Sequence, residues 1–167
     1  ADATPERFRA EYGQGEFVLY VGRIEPRKNV LGLIRAVRSL GLPLVIIGAA
    51  PPGREGYAAS CRRAGGASVR WLGARMQDDP LLISAYAAAR VFALPSWFET
   101  PGLAALEAAL AGSAVVVTPF GCTREYFGDR VEYARPDRVP ALRRAIERAW
   151  KTGPDRRLKA EIGTHYS

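Results

Sequence analysis

Two glutamates with seven residues between them, Glu99 and Glu107, stand in the segment F-E-T-P-G-L-A-A-L-E-A-A-L-A-G, residues 98–112. Pro101 and Gly102 open a helix there and Gly112 closes it. Between Gly102 and Gly112 every residue except Glu107 is Leu or Ala, so the pattern predicts a buried helix. Glu107 lies four residues after Leu103 and one after Leu106, at the border of the face that packs. An unpaired charge in such a place is costly. Either Glu107 reaches past small alanines to water, or it serves a ligand that offers hydroxyls. A second segment, V-G-R-I-E-P-R-K-N at residues 21–29, brings cations, of which Arg23 and Lys28 are the candidates. Cations neutralise phosphates and carboxylates accept from hydroxyls, so together these residue types suit a ligand that carries both.

The elements that must position these groups alternate between strand and helix. Apolar runs at residues 17–22, 43–48, 68–72, 91–95 and 114–118 read as strands, with a weak sixth at 131–134. Helices are expected from Asn29, as N-cap, to about Leu40, and at about 54–65, 79–89, 122–127 and 138–152. The first of these places Val30, Leu33, Ile34, Val37 and Leu40 on one face. The 138–152 helix does the same with Val139, Leu142, Ile146 and Trp150. A further helix is expected to begin near Pro154. Trp71 and Trp97 are expected to pack. Continuous apolar strands joined by helices imply a parallel sheet covered on both faces. The fold expected is α/β, a Rossmann-like doubly wound parallel six-stranded sheet, with strand order 3-2-1-4-5-6.

In that order the first and fourth strands are neighbours whose crossovers leave on opposite faces, and ligands bind beyond their carboxyl ends. The 21–29 and 95–103 segments follow these two strands. One crevice therefore receives Arg23, Lys28, Glu99 and a helix N-terminus, whose free N–H groups at Gly102 and Leu103 favour an anion. No G-x-G-x-x-G follows the first strand, and no G-x-x-x-x-G-K-[ST] occurs. That argues against a dinucleotide-dependent dehydrogenase and a P-loop ATPase.

Composition narrows the class further. The 167 residues suffice for one domain, 48% are hydrophobic and 25% charged, as in an ordinary globular chain. No apolar run is long enough to span a membrane, and no signal peptide is expected. The chain begins Ala-Asp-Ala-Thr-Pro without Met, which suggests a piece of a longer protein or a processed product. Cys61 and Cys122 are too isolated for a disulfide framework, and no metal-ligand spacing occurs, so no metal is expected. The lone histidine, His165, lies in the tail and supports no Ser/His/Asp set. The net charge of +7 comes from 24 basic and 17 acidic residues. Basic residues read as spread through every helix, which disfavours nucleic acid and suits an anionic small substrate or a membrane surface.

The chain resembles the C-terminal, donor-binding domain of retaining glycosyltransferases of the GT-B fold, family 4. The resemblance runs from about Phe17 to Trp150. It rests on L-P-S-W-F-E-T-P-G-L-A-A-L-E-A, on the G-R-x-x-x-x-K pattern of Gly22, Arg23 and Lys28, and on T-R-E-Y-F-G-D at 123–129. Pro101 departs from the aromatic or aliphatic residue common there, and the segment after the third strand is slightly longer than usual. The resemblance implies that Arg23 and Lys28 neutralise the departing diphosphate of a GDP- or UDP-type sugar donor. Glu107 would take the ribose, Glu99 a hydroxyl of the donor sugar, and the N–H groups of Gly102 and Leu103 phosphate or sugar oxygens. Arg75 or Met76 would flank the nucleobase. It further implies transfer with retention and without metal or other cofactor, at a cytoplasmic site beside the inner face of a membrane. Residues 1–167 would be one donor-binding domain lacking the acceptor-binding N-terminal domain, and inactive alone. Two other readings stay open: half of a GT-B sugar-nucleotide epimerase, and a non-catalytic nucleotide-binding module.

Overall fold

The computed structural model describes residues 3–100 and 102–166. Pro101, expected to open the helix after the fourth strand, lies outside the described residues. In chain order the elements are α1 (Glu6–Tyr12), β1 (Val18–Val21), α2 (Val30–Ser39), β2 (Leu44–Ile47), α3 (Glu55–Gly65), β3 (Val69–Trp71) and α4 (Pro80–Ala88). They continue with β4 (Val91–Leu94), α5 (Leu103–Ala111), β5 (Ala114–Val117), α6 (Thr123–Phe127), β6 (Glu132–Tyr133), α7 (Val139–Thr152) and α8 (Arg156–Tyr166). Strands β2, β4 and β5 are buried along their whole length, and β1 along all but its last residue. Helices on both faces are what buries them.

All strand pairs are parallel, in the order β3-β2-β1-β4-β5-β6. Val18 of β1 is in register with Leu44 on one side and Val91 on the other. The chain thus winds outward from β1 to β3, returns across the sheet through α4, and winds outward again from β4. Helix α2 packs on α3 and α7 to form one layer. The other layer joins α1 to α4, α4 to α5, and α5 to α8, with α6 against α8. The doubly wound architecture expected from the sequence is the one observed.

The two end helices are less visible in the sequence. Helix α1 buries only Phe8, which stacks at 4.9 Å on both Tyr12 and Phe17 while its backbone N–H donates to Ser84 Oγ of α4. Seven residues with one buried side chain leave no period to read. Helix α8 begins two residues beyond the expected Pro154 and buries Leu158 and Ile162, one turn apart, on the α5 side.

Three expectations are corrected. Helix α5 is not apolar-buried all round: Ala105, Leu106, Ala108 and Ala109 are buried, whereas Leu103 is 59% exposed. Trp97 does not pack into the core and is 46% exposed, because it sits in the loop after β4 rather than on a covered face. Basic residues do not occur in every helix; α4 and α5 carry none.

Asn29 precedes α2 as expected but makes no side-chain capping bond. It adopts the left-handed conformation (φ 56°), and its Nδ2 donates to the Pro95 carbonyl at 3.2 Å and the Pro136 carbonyl at 2.9 Å. One amide thereby ties the loop after β1 to the loops after β4 and β6. Replacing it by alanine leaves two carbonyls without their donor and puts an unfavourable φ on the new residue. Asn29→Ala is expected to lose ~2 kcal/mol of stability, read as a lower urea midpoint at unchanged slope.

Candidate functional site

The crevice forms where the loops after β1 and β4 diverge at the carboxyl end of the sheet. After β1 the backbone turns at Gly22. A side chain on Gly48, at the end of β2, would place its Cβ 1.7 Å from the Gly22 carbonyl oxygen, so the two loops meet only because residue 48 is glycine. The buried Tyr20 hydroxyl donates to the Arg23 carbonyl at 2.6 Å and fixes that turn from below. Burial first, and the Glu99 charge second, push this hydroxyl well above its ordinary pKa, so it remains a proton donor. A single 3-10 turn, Pro26–Lys28, then delivers Lys28 to the crevice.

Glu99 is 5% exposed. Its Oε1 accepts from Lys28 Nζ at 2.7 Å and from Ser96 Oγ at 2.6 Å. Its backbone is held as firmly: Glu99 N–H donates to the Phe120 carbonyl at 3.2 Å, and Cys122 N–H donates to the Glu99 carbonyl at 3.0 Å. Gly121 between them has φ +99°, and a Cβ there would come within 2.1 Å of the Glu99 carbonyl oxygen. Trp97 N–H donates to the Arg27 carbonyl at 3.0 Å and joins the two loops. A buried carboxylate is tolerated when it is paired and hydrogen-bonded, and both recorded bonds use the same oxygen.

A cavity of about 290 Å³ opens beside this pair and is lined by Gly22, Arg23, Lys28, Glu99, Gly102 and Leu103 among others. Six of the expected site residues therefore share one hollow. Arg23 is exposed and its side chain has no partner among the described residues. Helix α5 begins here. Among the described residues its backbone ladder starts with the bond from Leu106 N–H to the Gly102 carbonyl, and the N–H groups of Gly102 and Leu103 stand at the helix start, ahead of that ladder. A second hollow of about 260 Å³ lies across Gly22 and Arg23, with Gly48, Ala49, Ala74 and Arg75 on its wall. Arg75 also pairs with Asp79 at 3.7 Å.

Met76 and Glu107 line neither hollow. Met76 is 77% exposed. Glu107 accepts from Gln77 Nε2 at 2.7 Å and borders a separate hollow of about 540 Å³ among α4, α5 and α8. There burial, followed by the Glu107 charge, raises the Tyr86 hydroxyl far above its ordinary value. Because Gln77 follows Met76 directly, Glu107 is held at the edge where the loop after β3 meets α5. Among the described residues no cluster of His, Cys, Asp and Glu could hold a metal, and no helix is long and apolar enough to cross a membrane.

Ser96, Tyr20 and Gln77 are site-supporting residues that the sequence did not single out, and Asn29 was read from it only as a helix cap. Ser96 alone left a signal, three residues before Glu99 in the same loop. The other three act across 3 to 107 residues of chain through bonds no local pattern displays.

Cations, a buried carboxylate and a helix start thus stand together at the switch point of a parallel doubly wound sheet, the place where open α/β folds take their ligands. The sequence model of the glycosyl transferases group 1 family matches residues 4–163, and the chain belongs to that family. It is 35% identical over 161 residues to the O-antigen chain mannosyltransferase B of Escherichia coli, covering 85% of this chain and 39% of that protein. The fold is similar to sucrose-phosphate synthase of Thermosynechococcus elongatus, with TM-score 0.82 and 25% identity, covering 99% of this chain and 46% of that one. It is also similar to Anabaena HepE in complex with UDP and glucose, with TM-score 0.77 and 22% identity, covering 98% and 45%. The chain thus spans less than half the length of each of these relatives.

Removing Lys28 leaves a nearly buried carboxylate without its cation. Lys28→Met is expected to lose ~3 kcal/mol of stability, and the double variant Lys28→Met/Glu99→Gln to recover most of it. Chemical denaturation of both checks this; equal losses in the two would show that the pair is not coupled.

Proposed function

We propose that residues 1–167 form the donor-binding half of a retaining glycosyltransferase that uses a nucleoside diphosphate sugar. The observation that carries this reading is the convergence of Arg23, the Lys28–Glu99 pair and the start of α5 on one cavity at the switch point. Family membership supports the transferase chemistry. In this reading the diphosphate lies between Arg23, Lys28 and the first N–H groups of α5. These are fixed donors aimed at charge that grows as the diphosphate departs, a form of stabilisation worth several kcal/mol in comparable sites. No metal or other cofactor is assigned a part. Glu99, with one oxygen taken by Lys28 and Ser96, offers the other to a hydroxyl of the sugar. The nucleoside runs across Gly22 toward Arg75 and Met76, and Glu107 takes the ribose by exchanging its Gln77 partner for hydroxyls.

The acceptor site and the second wall of the cleft belong, in this reading, to an N-terminal domain outside these residues, and the complete enzyme works at the cytoplasmic side of a membrane. The epimerase and the non-catalytic module fit the same donor crevice, and no separate observation favours either.

Calorimetry with nucleoside, monophosphate, diphosphate and sugar nucleotide tests the site, starting from UDP because a structural neighbour was crystallised with it. Wild type is expected to gain affinity with each phosphate. Arg23→Ala/Lys28→Ala should abolish that gain and leave nucleoside binding unchanged. Equal weakening of all ligands would move the phosphates elsewhere. Glu107→Ala is expected to cost ~2–4 kcal/mol of nucleotide binding, and unchanged affinity would remove Glu107 from the site.

A transfer assay with radiolabelled sugar nucleotide should show no turnover by the isolated chain, because in this reading the groups that position the acceptor and exclude water belong to the other domain. Robust turnover would overturn the half-enzyme assignment.

A further inference from the structure

The +7 charge of the chain is not distributed evenly over its two helical layers. Helix α2 carries Arg35 and Arg38, and α3 carries Arg62 and Arg63. Helix α7 adds Arg143, Arg144, Arg148 and Lys151. Against these eight stand two acids, Glu55 and Glu147. The helices of the other layer, α1, α4, α5, α6 and α8, hold six basic and five acidic residues. The helices of one layer are thus strongly positive and those of the other close to neutral.

Position follows from packing. On α7 the buried stripe is Leu142, Ala145, Ile146 and Ala149, so Arg144, Arg148 and Lys151 at successive turns form an outer stripe. Arg35, Arg38, Arg62, Arg63, Arg143 and Arg144 are all exposed. Some of these charges are engaged: Arg148 pairs with Glu132, Lys151 with Glu147, and Arg62 lies over Trp71. Arg143 and Arg144 have no partner among the described residues. The exposed large apolar side chains, Met76, Ile83, Trp97, Phe98, Leu103 and Phe120, all lie off this layer.

We propose that the outer face of the α3–α2–α7 layer is a docking surface for an anionic lipid bilayer. A planar sheet of negative charge acts on a whole face at once. A molecule that is basic on one layer and near-neutral on the other is held against such a plane in one orientation. The charges spread over three packed helices instead of lining a groove, and no exposed large aromatic side chain interleaves with them, which favours a plane over a nucleic-acid strand. With no apolar anchor on the face, attachment is electrostatic, reversible and sensitive to salt. This inference does not rest on the donor-site reading, since none of these residues lines the crevice.

Sedimentation of the 167-residue chain with vesicles of phosphatidylcholine, with and without 30% phosphatidylglycerol, tests it. Binding is expected only to the anionic vesicles at ~0.1 M salt and is expected to vanish near 0.5 M. At roughly fivefold in affinity per basic residue, Arg35→Glu/Arg143→Glu/Arg144→Glu should lose on the order of 100-fold or more. Arg7→Glu/Arg156→Glu/Lys159→Glu changes the net charge equally on the opposite layer and should stay within about threefold of wild type. Thermal melts confirm folding of each variant, and single Arg→Gln changes replace any triple variant that does not melt cooperatively. Equal losses in the two triple variants, or no binding to anionic vesicles, would overturn the proposal. So would tighter binding of a DNA duplex than of vesicles at matched phosphate, with the same residues required.

Discussion

The Lys28–Glu99 contact joins side chains 71 residues apart, inside a region where neither charge could stand alone. Desolvating a carboxylate to 5% exposure carries a large penalty unless a cation and a hydroxyl donor face it. Lys28 and Ser96 are those groups, and each comes from a loop that must take one position to supply them. The backbone of Glu99 is clamped in turn between Phe120 and Cys122. Three loops, after β1, β4 and β5, are therefore held at one spacing by a single carboxylate and its neighbours. The cavity beside them inherits its shape from that spacing.

Backbone approach supplies the second restraint. Gly48 against Gly22, and Gly121 against Glu99, bring main chains closer than any side chain allows. Asn29 then spans to Pro95 and Pro136. Polar side chains and glycines do at the carboxyl end of the sheet what apolar packing does in its middle. The polar groups around the cavity are thus held in place by the fold itself.

The two helical layers differ in chemistry because they differ in what they cover. Helices α4 and α5 are alanine- and leucine-rich and sit between the sheet and the end helices α1 and α8. They have little outer surface to spend on charge. The α3–α2–α7 layer is covered by no further element among the described residues, and its outer side chains carry most of the excess positive charge.

The sequence by itself determined the strand–helix alternation, because four-residue runs such as Leu44–Ile47 and Ala114–Val117 can be satisfied only between two covered faces. It also determined the strand order and the delivery of Arg23, Lys28, Glu99 and the α5 start to one end, since chain order and the right-handed crossover leave few alternatives. Glu107 was legible as a carboxylate in an apolar helix, yet its partner was not, because Gln77 reaches it across 30 residues. The bracing by Asn29 was illegible for the same reason, its partners lying 66 and 107 residues away, whereas helix α1, with one buried side chain in seven residues, has no period to read. Only the tertiary structure decided that Lys28 and Glu99 neutralise each other, that Met76 stands free of both hollows, and that the basic residues gather on one layer. Each of these depends on which surfaces face one another. Periodicity along a chain reports which side of an element is buried, but not what it is buried against.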